Sequence, residues 1–184
     1  SHMQRMNSKY LRKNPPQRGE VKQIKRNPIY FVLDNVLDTY NIGSVFRLGD
    51  ATAVEKIYIC GENSEYPPSS RIHKAAVGTE EWVPWSKENK TIEVVKSLKK
   101  QGIQIIAVEQ DSRSIPYTAL SGASSAYTLH FPVALVVGHE TTGVSKEVLD
   151  MADLIVELPM FGINKSINVW GSLAIISYKV IENL

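Results

Sequence analysis

One cysteine, Cys60, stands among 184 residues, so an intramolecular disulfide is excluded. A lone thiol at the end of an apolar run reads as a small hydrophobe. No apolar run is long enough to cross a bilayer, and no membrane partner is expected. The N-terminus lacks a basic-then-apolar signal pattern, which predicts a cytoplasmic protein. Ser1-His2 reads as a tag remnant and is set aside. The other three histidines, His73, His130 and His139, are scattered without carboxylate or cysteine spacing, so no metal site is expected. No G-x-G-x-x-G follows the first apolar run and no G-K-[ST] occurs, which removes the common dinucleotide and P-loop devices. A G-x-S-x-G elbow for acyl transfer is missing too, and there is no internal repeat.

What remains is of ordinary globular composition, 43% apolar and 22% charged, and of a length that suits one domain with a sizeable core. The net charge of +2 is unevenly placed. Residues 1–26 carry Arg5, Lys9, Arg12, Lys13, Arg18, Lys22, Lys25 and Arg26 against Glu20 alone, a balance of +7 that leaves −5 for the rest. A basic arm over 1–26 ahead of a mildly acidic domain over 27–184 suggests a segment that meets a polyanion, although a solvated tail has the same composition.

Along the domain, Ile29–Leu33, Lys56–Cys60, Gln104–Val108, Val133–Val137 and Leu154–Leu158 read as buried strands. Trp82–Trp85 reads as an edge strand, since Pro84 cannot donate within a central one. Helical faces lie between them, over 41–53, 72–77, 92–101 and 145–151. Val169, Leu173, Ile176 and Val180 mark a last helix at i, i+4, i+7 and i+11. Residues 109–130 read as a polar connection containing Ser121-Gly122-Ala123-Ser124-Ser125. Strands alternating with helices predict an α/β fold with a mostly parallel sheet flanked by helices.

Polar clusters gather where these strands end, the edge at which open α/β sheets bind ligands. Gly138-His139-Glu140 ends one strand, Leu158-Pro159-Met160 another, and Ser166-Ile167-Asn168 precedes the last helix. Near the N-terminus, Asn41 is suited to cap a helix. Arg47, on an otherwise apolar stretch of that helix, has a structural salt bridge as its plain explanation.

Taken together, these segments resemble the SpoU/TrmH family of the SPOUT superfamily, knotted RNA 2′-O-ribose methyltransferases that use S-adenosylmethionine. The N-x-G-x-x-x-R motif is matched by Asn41, Gly43 and Arg47, and G-x-E-x-x-G by Gly138, Glu140 and Gly143. Val156–Met160 matches the strand-Pro element, and Ser166-Ile167-Asn168-Val169 the S-[LI]-N-V motif. Two departures are His139, where Asn or Ser is commoner, and Trp170-Gly171, where small residues are usual. The resemblance covers roughly residues 28–184.

It implies a C-terminal deep trefoil knot, a homodimer with the active site near the subunit interface, and an RNA substrate. Ala76–Pro84 and Ile106–Gln110 look most like the branch that methylates guanosine in the tRNA D-loop; rRNA and the tRNA anticodon loop are the alternatives. By the same resemblance Arg47 is the central catalytic residue, with Asn41, Glu140, Ser166 and Asn168 around it, and Gly138, Leu158, Met160 and Ile167 hold S-adenosylmethionine. Arg47 is expected to act as a fork on a phosphate and on developing oxyanion charge rather than as a base, with Glu140 holding it. Ser166 and Asn168 are expected to orient the ribose or to cap the final helix. A SPOUT-like protein that binds RNA without catalysis is the reading of a different class, and a nucleotide-dependent oxidoreductase lacks its glycine fingerprint.

Overall fold

The computed structural model describes residues 7–120 and 128–184; Arg5 and the Ser121–Ser125 stretch lie outside them. Within these residues seven strands form one sheet: β1 (Asn27–Asp34), β2 (Val54–Cys60), β3 (Trp85–Glu88), β4 (Gln104–Val108), β5 (Ile115–Pro116), β6 (Val133–Gly138) and β7 (Leu154–Glu157). Their order is β3-β2-β1-β6-β4-β7-β5, and every neighbouring pair is parallel. The helices are α1 (Ser8–Lys13), α2 (Arg18–Lys22), α3 (Thr39–Ala51), α4 (Ser70–Ala76), α5 (Thr91–Lys100), α6 (Lys146–Met151) and α7 (Val169–Ile181). The expected α/β architecture with a parallel sheet is therefore present.

Apolar runs in β1, β4 and β6 read as continuous because both faces of these central strands are covered. Phe31, Leu33, Ile106, Leu135 and Val137 pack on the side of α3, α4 and α7. Val32, Ile105, Ala107, Ala134 and Val136 point the other way, into the layer of α5 and α6. The register Phe31↔Leu135↔Ile106 keeps like faces together across the middle of the sheet.

A buried carboxylate fastens the helices to the strand ends. Asp34, at the end of β1 and 1% exposed, accepts from the Thr91 hydroxyl at the start of α5. Its other oxygen accepts from the Ser145 amide, ahead of α6, at 2.8 Å. Burying a charge requires such partners.

Four expectations need correction. Helix α3 starts earlier than Asn41, and its cap is Asp38, which accepts from the Tyr40 amide at 2.7 Å. The edge strand begins at Trp85, because residues 79–81 form a 3₁₀ turn; Pro84 only offers its carbonyl, to the Ile57 amide at 2.9 Å. The polar connection after β4 contains the two-residue strand β5, too short to show any periodicity. The fourth concerns His73, which has two carboxylates beside it: Nδ1 lies 2.7 Å from Glu80 and 3.9 Å from Glu81. The 2.7 Å spacing is a hydrogen bond, shorter than the ~3.3 Å that separates two ligands of one tetrahedral ion with ~2.0 Å bonds.

This His73 corner also meets the arm. Helices α1 and α2 bury no residue of their own, yet a Cβ on Gly78 would come within 3.3 Å of Arg12 Cα. His73 hydrogen-bonds both Glu80 and the Arg12 backbone, and the Glu80 contact raises its pKa above the usual imidazole value. At the end of the arm, Arg26 donates to the carbonyls of Val54 and Trp82, each at 3.2 Å, so this cation is engaged within the fold.

Candidate active site at the strand ends

The ends of β4, β6 and β7 enclose a cavity of about 310 Å³. Gly138, Leu158, Met160 and Ile167 all line it, as do Glu140 and Ser166. Three segments distant in sequence thus meet because their strands lie side by side in the sheet.

The turn after β6 forms one wall. The His139 and Gly143 backbones pair with each other at 3.1 and 2.9 Å. A Cβ on Gly138 would lie 2.2 Å from the Gly143 carbonyl carbon, so only glycine permits this approach. His139, a departure from the family pattern, accepts from the Thr141 and Thr142 amides through Nδ1, at 3.0 and 3.2 Å. That is the role an Asn or Ser side chain plays in a tight turn, which accounts for the exchange. The accepting Nδ1 places the hydrogen of the neutral ring on Nε2.

The segment before α7 forms the facing wall. Lys165 Nζ donates to the Met160 carbonyl at 3.2 Å, and Gln110 Nε2 donates to the Lys165 carbonyl, tying this segment to the end of β4. Asn164 accepts from the Ser166 amide at 3.3 Å and hydroxyl at 3.1 Å. Asn168 accepts from the Trp170 amide at 2.9 Å, so of its two expected roles the helix cap is the one the geometry displays.

Glu140 works differently from its expected part. Its Oε1 accepts from the Leu37 and Asp38 amides at 3.0 and 2.8 Å, with Asn41 Nδ2 at 3.5 Å. The carboxylate therefore fastens the turn into α3 and sits at the positive end of that helix, and Arg47 is not among its partners. Asn41 Oδ1 is buried beside it with no hydrogen-bond partner among the described residues.

Arg47 lies elsewhere. It is exposed and makes no ion pair among the described residues, so a structural salt bridge does not explain it. It lines a separate groove of about 800 Å³ with Arg71, Lys74, Tyr40, Ser44 and Trp170. Three cations beside two aromatic rings can take phosphate and stack a base. Trp170, the other departure, thereby has a place on this surface.

Glu109, Gln110 and Lys165 also belong to the cavity and went unrecognised as site residues. In sequence, Glu109 and Gln110 show only as the polar end of a buried strand, and Lys165 as one charge in a polar loop.

The SpoU rRNA Methylase family pattern matches residues 28–178, and the chain belongs to that family. It is similar to the tRNA (guanosine(18)-2′-O)-methyltransferase of Borreliella burgdorferi, with 26% identity over 165 residues, 90% of this chain and 71% of that protein. Among solved structures it is similar to the A. aeolicus TrmH/SpoU tRNA modifying enzyme (TM-score 0.74, 26% identity, 95% of this chain and 81% of the other). It also shares the fold of an AdoMet-bound rRNA methyltransferase from Sinorhizobium meliloti (TM-score 0.74, 24% identity), covering 88% of this chain and 59% of that one.

Proposed function

We propose that the protein is an S-adenosylmethionine-dependent 2′-O-ribose methyltransferase of RNA that acts on tRNA, with a D-loop guanosine as its target. The observation that carries this reading is the convergence of Gly138, Leu158, Met160, Ser166 and Ile167 on one cavity at the strand ends. The residues fit an adenosine cofactor: the tight Gly138–Gly143 turn gives the cavity a backbone wall, and Leu158, Met160 and Ile167 offer apolar walls for a flat base. The similarity to a tRNA guanosine methyltransferase supports the substrate.

When bound, S-adenosylmethionine supplies an electrophilic methyl group on a sulfonium. The chain must present a ribose 2′-oxygen and stabilise the charge that develops there. Arg47 does this as a fork on phosphate and oxyanion; a guanidinium keeps its proton, so the hydroxyl proton passes to water or to the neighbouring phosphate. Asn41 is buried, and on this reading it supports Glu140 from behind the cavity, Nδ2 lying 3.5 Å from Oε1, rather than touching the ribose.

Arg47 does not line the cofactor cavity, so on this reading a second copy brings the groove of one subunit to the cavity of the other. Phe161 and Ile163, 94% and 101% exposed on the segment that closes the cavity, supply apolar contact for such a homodimer, together with Ile175 and Tyr178 of α7. The stretch from β7 into α7, tied to the end of β4 by Gln110, is on this reading the part that threads the trefoil knot. Residues 1–26 form an RNA-binding arm on a methyltransferase domain over 27–184.

Incubation with S-adenosylmethionine and tRNA or rRNA transcripts, followed by mass spectrometry of the nucleosides, tests the assignment. A 2′-O-methylguanosine in tRNA is expected. Methylated rRNA with unmodified tRNA would move the substrate, and no methylated ribose in either would remove the activity.

A further inference from the structure

The cavity contains a carboxylate that the mechanism above leaves without a task. Glu109 directly follows β4, and its amide donates to the Val156 carbonyl at 3.0 Å, which fixes the backbone between two strand ends. A Cβ on Gly143 would lie 2.2 Å from Glu109 Oε1 and 2.8 Å from Oε2, so the carboxylate rests flat against the Gly143 Cα. Gly143 has φ +73°, a left-handed conformation that clears this space. Burial, with Asp111 adding to it, holds the Glu109 carboxyl above the ordinary carboxylate range, while a hydrogen bond from the Val144 backbone works against that rise. Glu109 makes no ion pair among the described residues.

An ionised carboxylate offers about four acceptor positions, and the Val144 amide uses one. The remainder belong to a group that lines the cavity, one residue beyond a parallel strand and beside a glycine turn. In dinucleotide folds an acidic residue near a strand end meets ribose hydroxyls in such surroundings. Apolar Leu158, Met160 and Ile167 line the same cavity and leave the polar edge of a nucleoside to Glu109.

We propose that Glu109 is a specificity residue of the cofactor site, accepting from the vicinal 2′- and 3′-hydroxyls of the bound adenosine's ribose. The assignment rests on the cofactor reading above. It makes the site select an unsubstituted ribose: a deoxyribose lacks the donors, and a ribose phosphate would set anion against anion.

The test is a binding cycle by calorimetry with S-adenosylhomocysteine and its 2′,3′-dideoxy analogue, on wild type, Glu109→Gln and Glu109→Ala. Hydrogen bonds to a charged group predict that the wild type favours the diol ligand by roughly 10- to 10²-fold. Both variants should narrow that preference to within about threefold, because the diol and the carboxylate are lost as one interaction. Glu109→Gln keeps an acceptor for the Val144 amide and separates this effect from a loosened turn, with a thermal melt alongside.

If the variants lose the same factor for both ligands, Glu109 only supports the Gly143 turn and the proposal fails. It also fails if the diol preference survives while the ratio of S-adenosylmethionine to S-adenosylhomocysteine affinity falls, because the carboxylate then reads the sulfonium. Wild-type protein that binds neither adenosine ligand overturns the cofactor reading itself, a different result from a wild type that binds both equally.

Discussion

At the scale of single residues, Arg47 carries the sharpest distinction. It is exposed, unpaired among the described residues and grouped with Arg71, Lys74 and Trp170, so its removal takes away little packing. Arg47→Ala should leave the melting temperature and S-adenosylmethionine affinity close to wild type. Single-turnover methylation should fall by ~10²–10³, the usual cost of a lost contact at developing charge. Arg47→Lys should recover only a small part, since a point charge does not reproduce the fork. Near-normal turnover in either variant would take Arg47 out of the mechanism.

The residue scale is also where the sequence was least explicit. Gly138, Leu158, Met160 and Ile167 were legible because the family resemblance marks them, the first three at or just after strand ends that share one edge of a parallel sheet and Ile167 just ahead of the last helix. The partners of Glu140 were not, because its acceptor role depends on the Leu37 and Asp38 amides about a hundred residues away. Glu109 was hidden for a similar reason: its environment is made by Gly143, and only the pairing of β4 with β6 brings the two together.

At the scale of elements, the contact between α1 and the α4 corner should depend on pH. His73 faces Glu80, Glu81 and the Arg12 backbone, and its pKa is raised chiefly by the hydrogen bond to Glu80. A raised pKa means that the folded state favours the protonated ring. Its stabilising effect is therefore complete below the ordinary imidazole value of about 6.5 and fades as pH climbs through the higher folded value. The melting temperature of wild type should exceed that of His73→Gln at pH 6, and the gap should close by about pH 9. A gap independent of pH would mean that the ring acts by packing alone.

The same element belongs to the basic arm. Deleting residues 1–26 should weaken tRNA binding and flatten its salt dependence while leaving S-adenosylmethionine affinity intact, since the arm's helices bury nothing of their own. The reduction in slope should be smaller than the +7 balance suggests, because Arg26 is bonded to the Val54 and Trp82 carbonyls. Identical salt slopes for full and shortened protein would leave the arm without a part in RNA binding.

For the molecule as a whole, the exposed Phe161, Ile163, Ile175 and Tyr178 predict a dimer at micromolar concentration by sedimentation. Phe161→Asp combined with Ile163→Asp should shift it to monomer and abolish methylation without lowering S-adenosylmethionine affinity more than a few-fold. A wild-type monomer with full activity would sink the shared site. The class of fold was readable at this scale from strand–helix alternation, and the central strands from their unbroken apolar runs. Neither the order of strands nor the short β5 could be read there. Order is set by which helix crosses which face, and a two-residue strand leaves no period.

That order has a bearing on how the chain reaches its folded state. Strand β1 lies in the interior of the sheet, yet one of its neighbours, the central β6, ends only at Gly138, and β4 gains its second neighbour with β7 still later. During synthesis the first half of the protein must wait with an open, apolar strand edge, the kind of surface that recruits other chains. Contacts so distant along the chain also make folding slow. Nascent chains of this protein are thus vulnerable until most of the domain has left the ribosome, and a stall before residue 133 should yield aggregates rather than a smaller folded unit.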